Sequence, residues 1–253
     1  LTMGNILIDG LDKYMTAVSV QASTFIMVDG VVISNLRTNS NTNAIGIGNL
    51  ANLNIGGTFI MNGGLITGVK MDSVISCSGG SITMNGEAEI AYNQAYGRGI
   101  TAGTVNMSGN SKIHNNTADR PAVGIIATGG SVINMGLSDG DAPSIYDNVS
   151  TNSYAGGIYL TESTLNMDYD SAIYGNEAYS LAGGLGLSNA QMNMKGNSQV
   201  RGNTTQAGGG GGIFISGGSA VIMEENSSIT GNEVMGASGL GGGVYLQQSG
   251  SSL

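Results

Sequence analysis

The densest cluster of side chains able to do chemistry is acidic: Asp139 and Asp141 lie in the stretch LSDGDAPS, and Asp168 and Asp170 follow one repeat later, near what should be the same corner. Carboxylates gathered at one place can hold a calcium ion, which takes six to eight oxygen ligands. Facing each other across a groove, a pair of them can hydrolyse a glycosidic bond, one as acid and one as base. The spacing matches neither the EF-hand loop nor the nonapeptide calcium repeat, and aspartates in such turns also serve by hydrogen-bonding their own backbone. Calcium at Asp139, Asp141, Asp168 and Asp170 is therefore the one cofactor these residues suggest. A catalytic centre is not expected, because His114 is the single histidine and no Asp-Asp pair or Arg-plus-Asp cluster recurs on one face. Polysaccharide hydrolysis or lyase chemistry stays open as an alternative, which fold analogy alone cannot establish.

A second set consists of His114, Tyr146, Tyr174 and Arg201, which with Ala91 and Thr230 each follow the apolar residue of a recurring Ile/Val-x-x-Asn motif. Alternation along a strand turns that position outward. Tyr, His and Arg in one column can stack on a sugar chain and hydrogen-bond it; equally, neighbours such as Tyr146 and Tyr174 can stack on each other with no ligand. A further outward column, Ile126, Tyr159, Gly186, Phe214 and Tyr245, reads as a packing surface for a neighbouring rod or protein. The longest connections, 36–44, 117–123, 149–157 and 233–242, should line one edge, where Arg98, Asp119, Arg120 and Tyr154 are the polar candidates for binding or ordinary solvated residues.

A repeat must position these groups. Nine of the thirteen methionines, Met3, Met27, Met61, Met84, Met107, Met135, Met167, Met194 and Met223, return at intervals of 23 to 34 residues, each in a short apolar stretch. Such a period marks a solenoid whose coils stack like over like. The clearest coil reads GGIYL, STLNMD, SAIYGN; the next reads GGLGL, AQMNMK, SQVRGN; the third reads GGIFI, SAVIME, SSITGN. Each phrase alternates apolar and polar residues between Gly, Asn and Ser, the pattern of three short strands per coil. First strands carry Ile100, Ile125, Ile158, Leu185, Ile213 and Val244, with Val18, Ile45 and Val74 as earlier copies. The third strand ends on Asn93, Asn116, Asn148, Asn176, Asn203 and Asn232, and Asn35 fits the same motif, whereas Leu11 and Val69 interrupt the column. Stacked amides of this kind form a ladder, and Asn also tolerates the left-handed backbone of a corner.

The fold expected is all-β, a right-handed parallel β-helix of about nine coils, less regular over 1–79 and regular over 80–253, forming one domain roughly 40 Å long at about 4.8 Å per coil. Composition agrees: Gly 44, Pro 2 and Trp 0, with only 10% charged residues against a usual share of about 25%. A net charge of −9 with eight basic residues argues against nucleic acid and anionic membranes as partners. No stretch reaches the roughly 18 apolar residues of a membrane span, and no basic-headed signal peptide is visible. The lone Cys77 allows no internal disulfide and reads as a small buried apolar group. The Asn-x-Ser/Thr matches at Asn115, Asn148, Asn203 and Asn226 are by-products of the corners, with Asn148 and Asn203 pointing inward. Neither end carries a recognisable cap, so a segment of a longer rod, or a unit stacking end to end, is expected.

The GGI-type starts and Ile/Val-x-x-Asn turns resemble the GGA[I/L] and FxxN repeats of polymorphic outer membrane proteins, autotransporter passengers and related bacterial surface adhesins. The likeness covers residues 80–246, with Ile or Val in place of Phe and no autotransporter β-barrel in the chain. It implies an extracellular or cell-surface stalk or adhesin, without catalysis or direct membrane insertion. Its partner would be a protein or glycan of a host or neighbouring cell, or copies of itself. A self-stacking filament or sheath subunit is the alternative.

Overall fold

A computed structural model describes residues 2–3, 6–14, 18–20, 23–37, 43–47, 57–119, 123–152, 154–237 and 239–247, with side chains described for these except 2–3, 10–14, 18–20, 43–47, 78 and 96–98. Every element among them is a β-strand, and the strands pair in parallel from one coil to the next. The chain is a right-handed parallel β-helix. In a regular coil, Ile158–Thr161, Thr164–Met167 and Ala172–Tyr174 are the three strands, and Glu177–Ala178 adds a two-residue strand after the corner. That fourth ladder follows every Asn corner from Asn93 on and was not visible as a separate strand in the sequence. Two coils depart further, running first and second strands together as Lys70–Met84 and Gln94–Met107.

The methionine column is in register throughout: each of the nine pairs with the next, from Met3 to Met223. Met27 to Met194 are buried, and each contributes about 1.5–3 kcal/mol over an exposed side chain. The unbranched thioether fits this place because coil size varies and the gap it fills varies too. Phe25 stacks on Phe59 within the same core, ring centroids 5.3 Å apart. Like lies on like because each coil is too thin to bury its own apolar face.

Beside the methionines runs the buried amide ladder. Asn93 Nδ2 donates to Asn116 Oδ1 at 2.9 Å, and the same bond recurs from Asn116 to Asn148, Asn148 to Asn176, Asn176 to Asn203 and Asn203 to Asn232 at 2.9–3.0 Å. Each Oδ1 also accepts the preceding rung's backbone N–H, and each Nδ2 donates to a carbonyl of the previous coil, as Asn176 does to Ile145. The ladder's first member caps the interrupted coil, since the Val69 N–H donates to Asn93 Oδ1 at 3.0 Å.

Register corrects three sequence readings. Ile33 pairs Ile66, and Ile66 pairs Ile90, so the ladder slot in that coil is the buried Leu36 rather than Asn35. Leu36 in turn pairs Lys13, which displaces Leu11 from the slot. Ile75, rather than Val74, is the first-strand copy that pairs Ile45 and Ile100. The left-handed backbone also falls one residue before the ladder Asn, at Asn35 (φ 54°), Tyr92 (57°), Asn115 (51°), Asp147 (51°) and Gly175 (64°). The ladder Asn itself is thereby free to point inward, as the fully buried Asn148 and Asn203 do.

The Gly-Gly starts have a steric cause. A Cβ on Gly184 would stand 2.6 Å from the Gly212 carbonyl oxygen and 3.1 Å from the Asn203 amide. Glycine there leaves the room that the ladder occupies. Replacing Asn176 with Ala removes two acceptor bonds and strands buried partners on both sides, so we expect a loss of about 1–3 kcal/mol in a urea titration; an unchanged midpoint would contradict a stabilising ladder.

Candidate functional site

Third-strand alternation brings the sequence candidates into one pile on the outside of the rod. The His114 ring lies 4.5 Å from Tyr146 and within 5° of its plane; Tyr146 lies 4.8 Å from Tyr174, parallel to it; and the Arg201 guanidinium sits 4.3 Å above the Tyr174 ring. Tyr92 meets the His114 ring edge-on at 5.6 Å. His114 is only 6% exposed, contrary to an open outward column, because Tyr146 covers its face and its two nitrogens meet Glu89 and Asn115 at 2.7 Å each. Ala91 is buried as well. Burial, with the neighbouring Tyr174 and acidic groups adding to it, holds the Tyr146 hydroxyl above the usual tyrosine value. The ring faces are spent on one another, which leaves edges to solvent rather than a platform for a sugar.

The edge candidates do not join this pile. Tyr154 is 43% exposed and tilts against Tyr159 at 5.3 Å, the Arg98 side chain is not among those described though its backbone pairs Ser73, and Arg120 lies outside the described residues. Asp119 accepts a hydrogen bond from the Thr151 hydroxyl at 2.7 Å. The first-strand column is in register as expected, but it is not an open packing surface. Ile126 and Phe214 are each 4% exposed, since Ile126 packs with Ala155 and Tyr159 of the next coil and Phe214 lies under Gly209 and against Tyr245, while the connections pair through Ala155, Ala182, Gly210 and Gly241.

The acidic group is dispersed rather than convergent. Asp141, buried, accepts from the backbone N–H groups of Gly109, Leu137 and Ser138 at 2.8–2.9 Å. Asp168 accepts from the Tyr169 N–H and pairs Lys195 at 2.8 Å; Asp170 accepts from Asn197 at 3.0 Å; Asp139 is exposed. Among the described residues no three His, Cys, Asp or Glu side chains come together as a metal site. The Asp141 oxygens are committed to pinning the 137–144 insertion, Asp168 and Asp170 face different partners and Asp139 is exposed, so the four carboxylates do not converge on one point.

Sequence reasoning missed a second amide ladder. Asn166 Nδ2 donates to Asn134 Oδ1, Asn134 to Asn106 and Asn193 to Asn166, each at 2.8 Å. These residues immediately precede Met107, Met135, Met167 and Met194, so they face outward while the methionines face in. The signal was legible as an Asn before four successive column methionines. A groove of about 500 Å3 lies along this row, lined by Asn134, Asn166 and Asn193 and rimmed by Leu137, Ile222 and the Asp168–Lys195 pair.

Residues 133–253 match the family model described as "Right handed beta helix region". The match covers just under half of the chain, including the groove and the later rungs of both ladders. No curated protein and no solved structure matches the chain. β-helices of this kind occur in surface proteins and in polysaccharide-degrading enzymes alike, so function has to be argued from the site.

Two of these groups give direct tests. Burial raises the Asp141 pKa, but the three backbone donors outweigh it and hold the carboxyl below the usual value. Its contribution to stability is therefore complete above about pH 4 and lost as pH falls through the lower folded value. Asp141→Asn should lower stability at neutral pH and flatten the acid limb of the unfolding curve, which parallel melts at pH 7 and pH 3 would show. Cys77 is fully buried with its thiol against the carbonyls of Gly57 and Ser81, and burial pushes its pKa up to about 11. The thiol stays protonated and shielded, so alkylation at neutral pH should be negligible in the folded chain and complete in denaturant.

Proposed function

We propose that the chain is an exported, extracellular or cell-surface β-helical rod that works by structure and adhesion rather than catalysis. Its partner is a protein or glycan of a host or neighbouring cell. The observation that carries this reading is where the chemically able side chains are directed. His114 engages Glu89 and the Tyr146 ring, Lys112 pairs Glu87, Lys195 pairs Asp168, and Asp141 reaches the backbone of the coil before it. Each of these contacts joins one coil to another. A glycoside hydrolase would instead hold a pair of carboxyl groups poised across a substrate. The GGI and Ile/Val-x-x-Asn repeats, similar to those of bacterial surface adhesins, support the same reading.

Fluorescent beads coated with the purified chain should be retained on cell surfaces or a glycan array, while incubation with neutral and acidic polysaccharides should release no new reducing or unsaturated ends. Turnover above a heat-killed control would overturn the non-catalytic reading in favour of a polysaccharide lyase or hydrolase, and failure to adhere to any cell or glycan would overturn the adhesive one.

A further inference from the structure

The outer amide row is chemically unlike the buried one. An Asn side chain carries two N–H donors and two acceptor positions. In Asn134 and Asn166, one donor and one acceptor are used along the row, so one of each remains. Both side chains are half-buried and line the groove. The row thus offers the same neutral donor and acceptor once per coil, at about 4.8 Å intervals.

We infer that this groove binds an extended, neutral, β-1,4-linked glycan chain lying along the rod axis, with about one sugar ring per coil. This rests on the adhesive reading above and names its ligand class and site. Three features select the occupant. Spacing is the first: rings of an extended β-1,4 chain advance by close to one coil and, being turned over alternately, present the same edge at close to every second coil, whereas same-face groups of an extended peptide recur about every 6.6 Å and fall out of step with the coils. Charge is the second. The groove's cation, Lys195, is held by Asp168 at 2.8 Å, Glu224 adds a negative charge at the same wall, and the chain carries −9; uronates and phosphates are disfavoured. Shape is the third. The insertion pinned by Asp141 raises Leu137, 49% exposed, on one side, and Ile222, 45% exposed, closes the row beyond Asn193, giving apolar contacts for the flat faces of sugar rings.

With no aromatic residue lining the groove, each ring contributes little and affinity must accumulate along the chain. Calorimetry with gluco-, manno- and N-acetylglucosamine β-1,4 oligosaccharides of two to six rings should show affinity rising about tenfold or more with length in at least one series, then levelling as the rungs are filled. High salt should change it little. Asn134→Ala combined with Asn166→Ala should weaken the longest ligand by about tenfold or more. Ile222→Ala, which removes the apolar contact at the end of the row and leaves the row intact, should weaken it severalfold and guards against a ladder variant that misfolds, as judged by its melt. No binding in any of the three series, binding without length dependence, or binding that survives both variants would overturn the inference. Adhesion that persists in the groove variants would leave the adhesive reading standing and remove only this site, whereas cleavage of the oligosaccharides would overturn the reading itself.

Discussion

Everything in this molecule depends on the parallel hydrogen bonding of each coil to the next, and the buried asparagine ladder is where that dependence is strictest. A β-strand solves its backbone hydrogen bonds only through a neighbour, and a corner breaks the ladder for a residue or two. At each corner from Asn93 to Asn232 the amide makes good the break, taking a backbone N–H of the preceding coil and giving its own N–H to a carbonyl of that same coil. The corner is thus as well bonded as the sheets it joins. Where Val69 occupies the slot, its backbone N–H is satisfied from the next rung and its side chain joins the core. The ladder therefore begins on an apolar coil without leaving an exposed polar gap.

The same constraint explains why titratable chemistry is so scarce. In a stack of thin coils, a charged side chain at one level has its nearest partners on the levels above and below. Glu87 meets Asn110 and Lys112, Glu177 meets Gln206, and Asp168 meets Lys195. Interactions of this sort are exposed and individually weak. They favour correct neighbours over slipped ones, which matters in a repeat where a slip by one coil would preserve most apolar contacts. The piled rings of His114, Tyr146 and Tyr174 act in the same direction, tying three consecutive third strands on the outside as Met107, Met135 and Met167 tie second strands on the inside.

How much of this was legible follows from how each feature is encoded. The methionine column and the inner Asn column announce themselves because one residue type recurs at one structural position, and their register is that expected from Met3 to Met223. Asn35 misled because a corner has two adjacent positions that favour Asn for different reasons, the left-handed turn and the ladder, and a motif four residues long cannot tell which one is filled. The acidic cluster misled because Asp139 and Asp141 are close in sequence while the insertion turns them apart, one into solvent and one onto the backbone. Covering of Ile126 and Phe214 was beyond reach, since it depends on how connections of irregular length fold back across a strand.

The two amide ladders show most clearly that residue type and spacing do not by themselves assign a role. Both are columns of Asn at one per coil with bonds of 2.8–3.0 Å, and they differ in what else touches them. The inner row cannot reverse, because its Oδ1 atoms receive backbone N–H groups that only an oxygen can accept. It runs from earlier coil to later. The outer row runs from later coil to earlier, and its amides bond only to other side chains among the described residues. Nothing in the backbone holds it to one sense. Turning the whole row over exchanges donors for acceptors at the groove while keeping every rung bonded, so the row can match whichever hydroxyl orientation a ligand brings. The inner ladder is a structural device because it is saturated; the outer one has hydrogen-bonding capacity left over, and unspent capacity in a groove is what a binding surface requires.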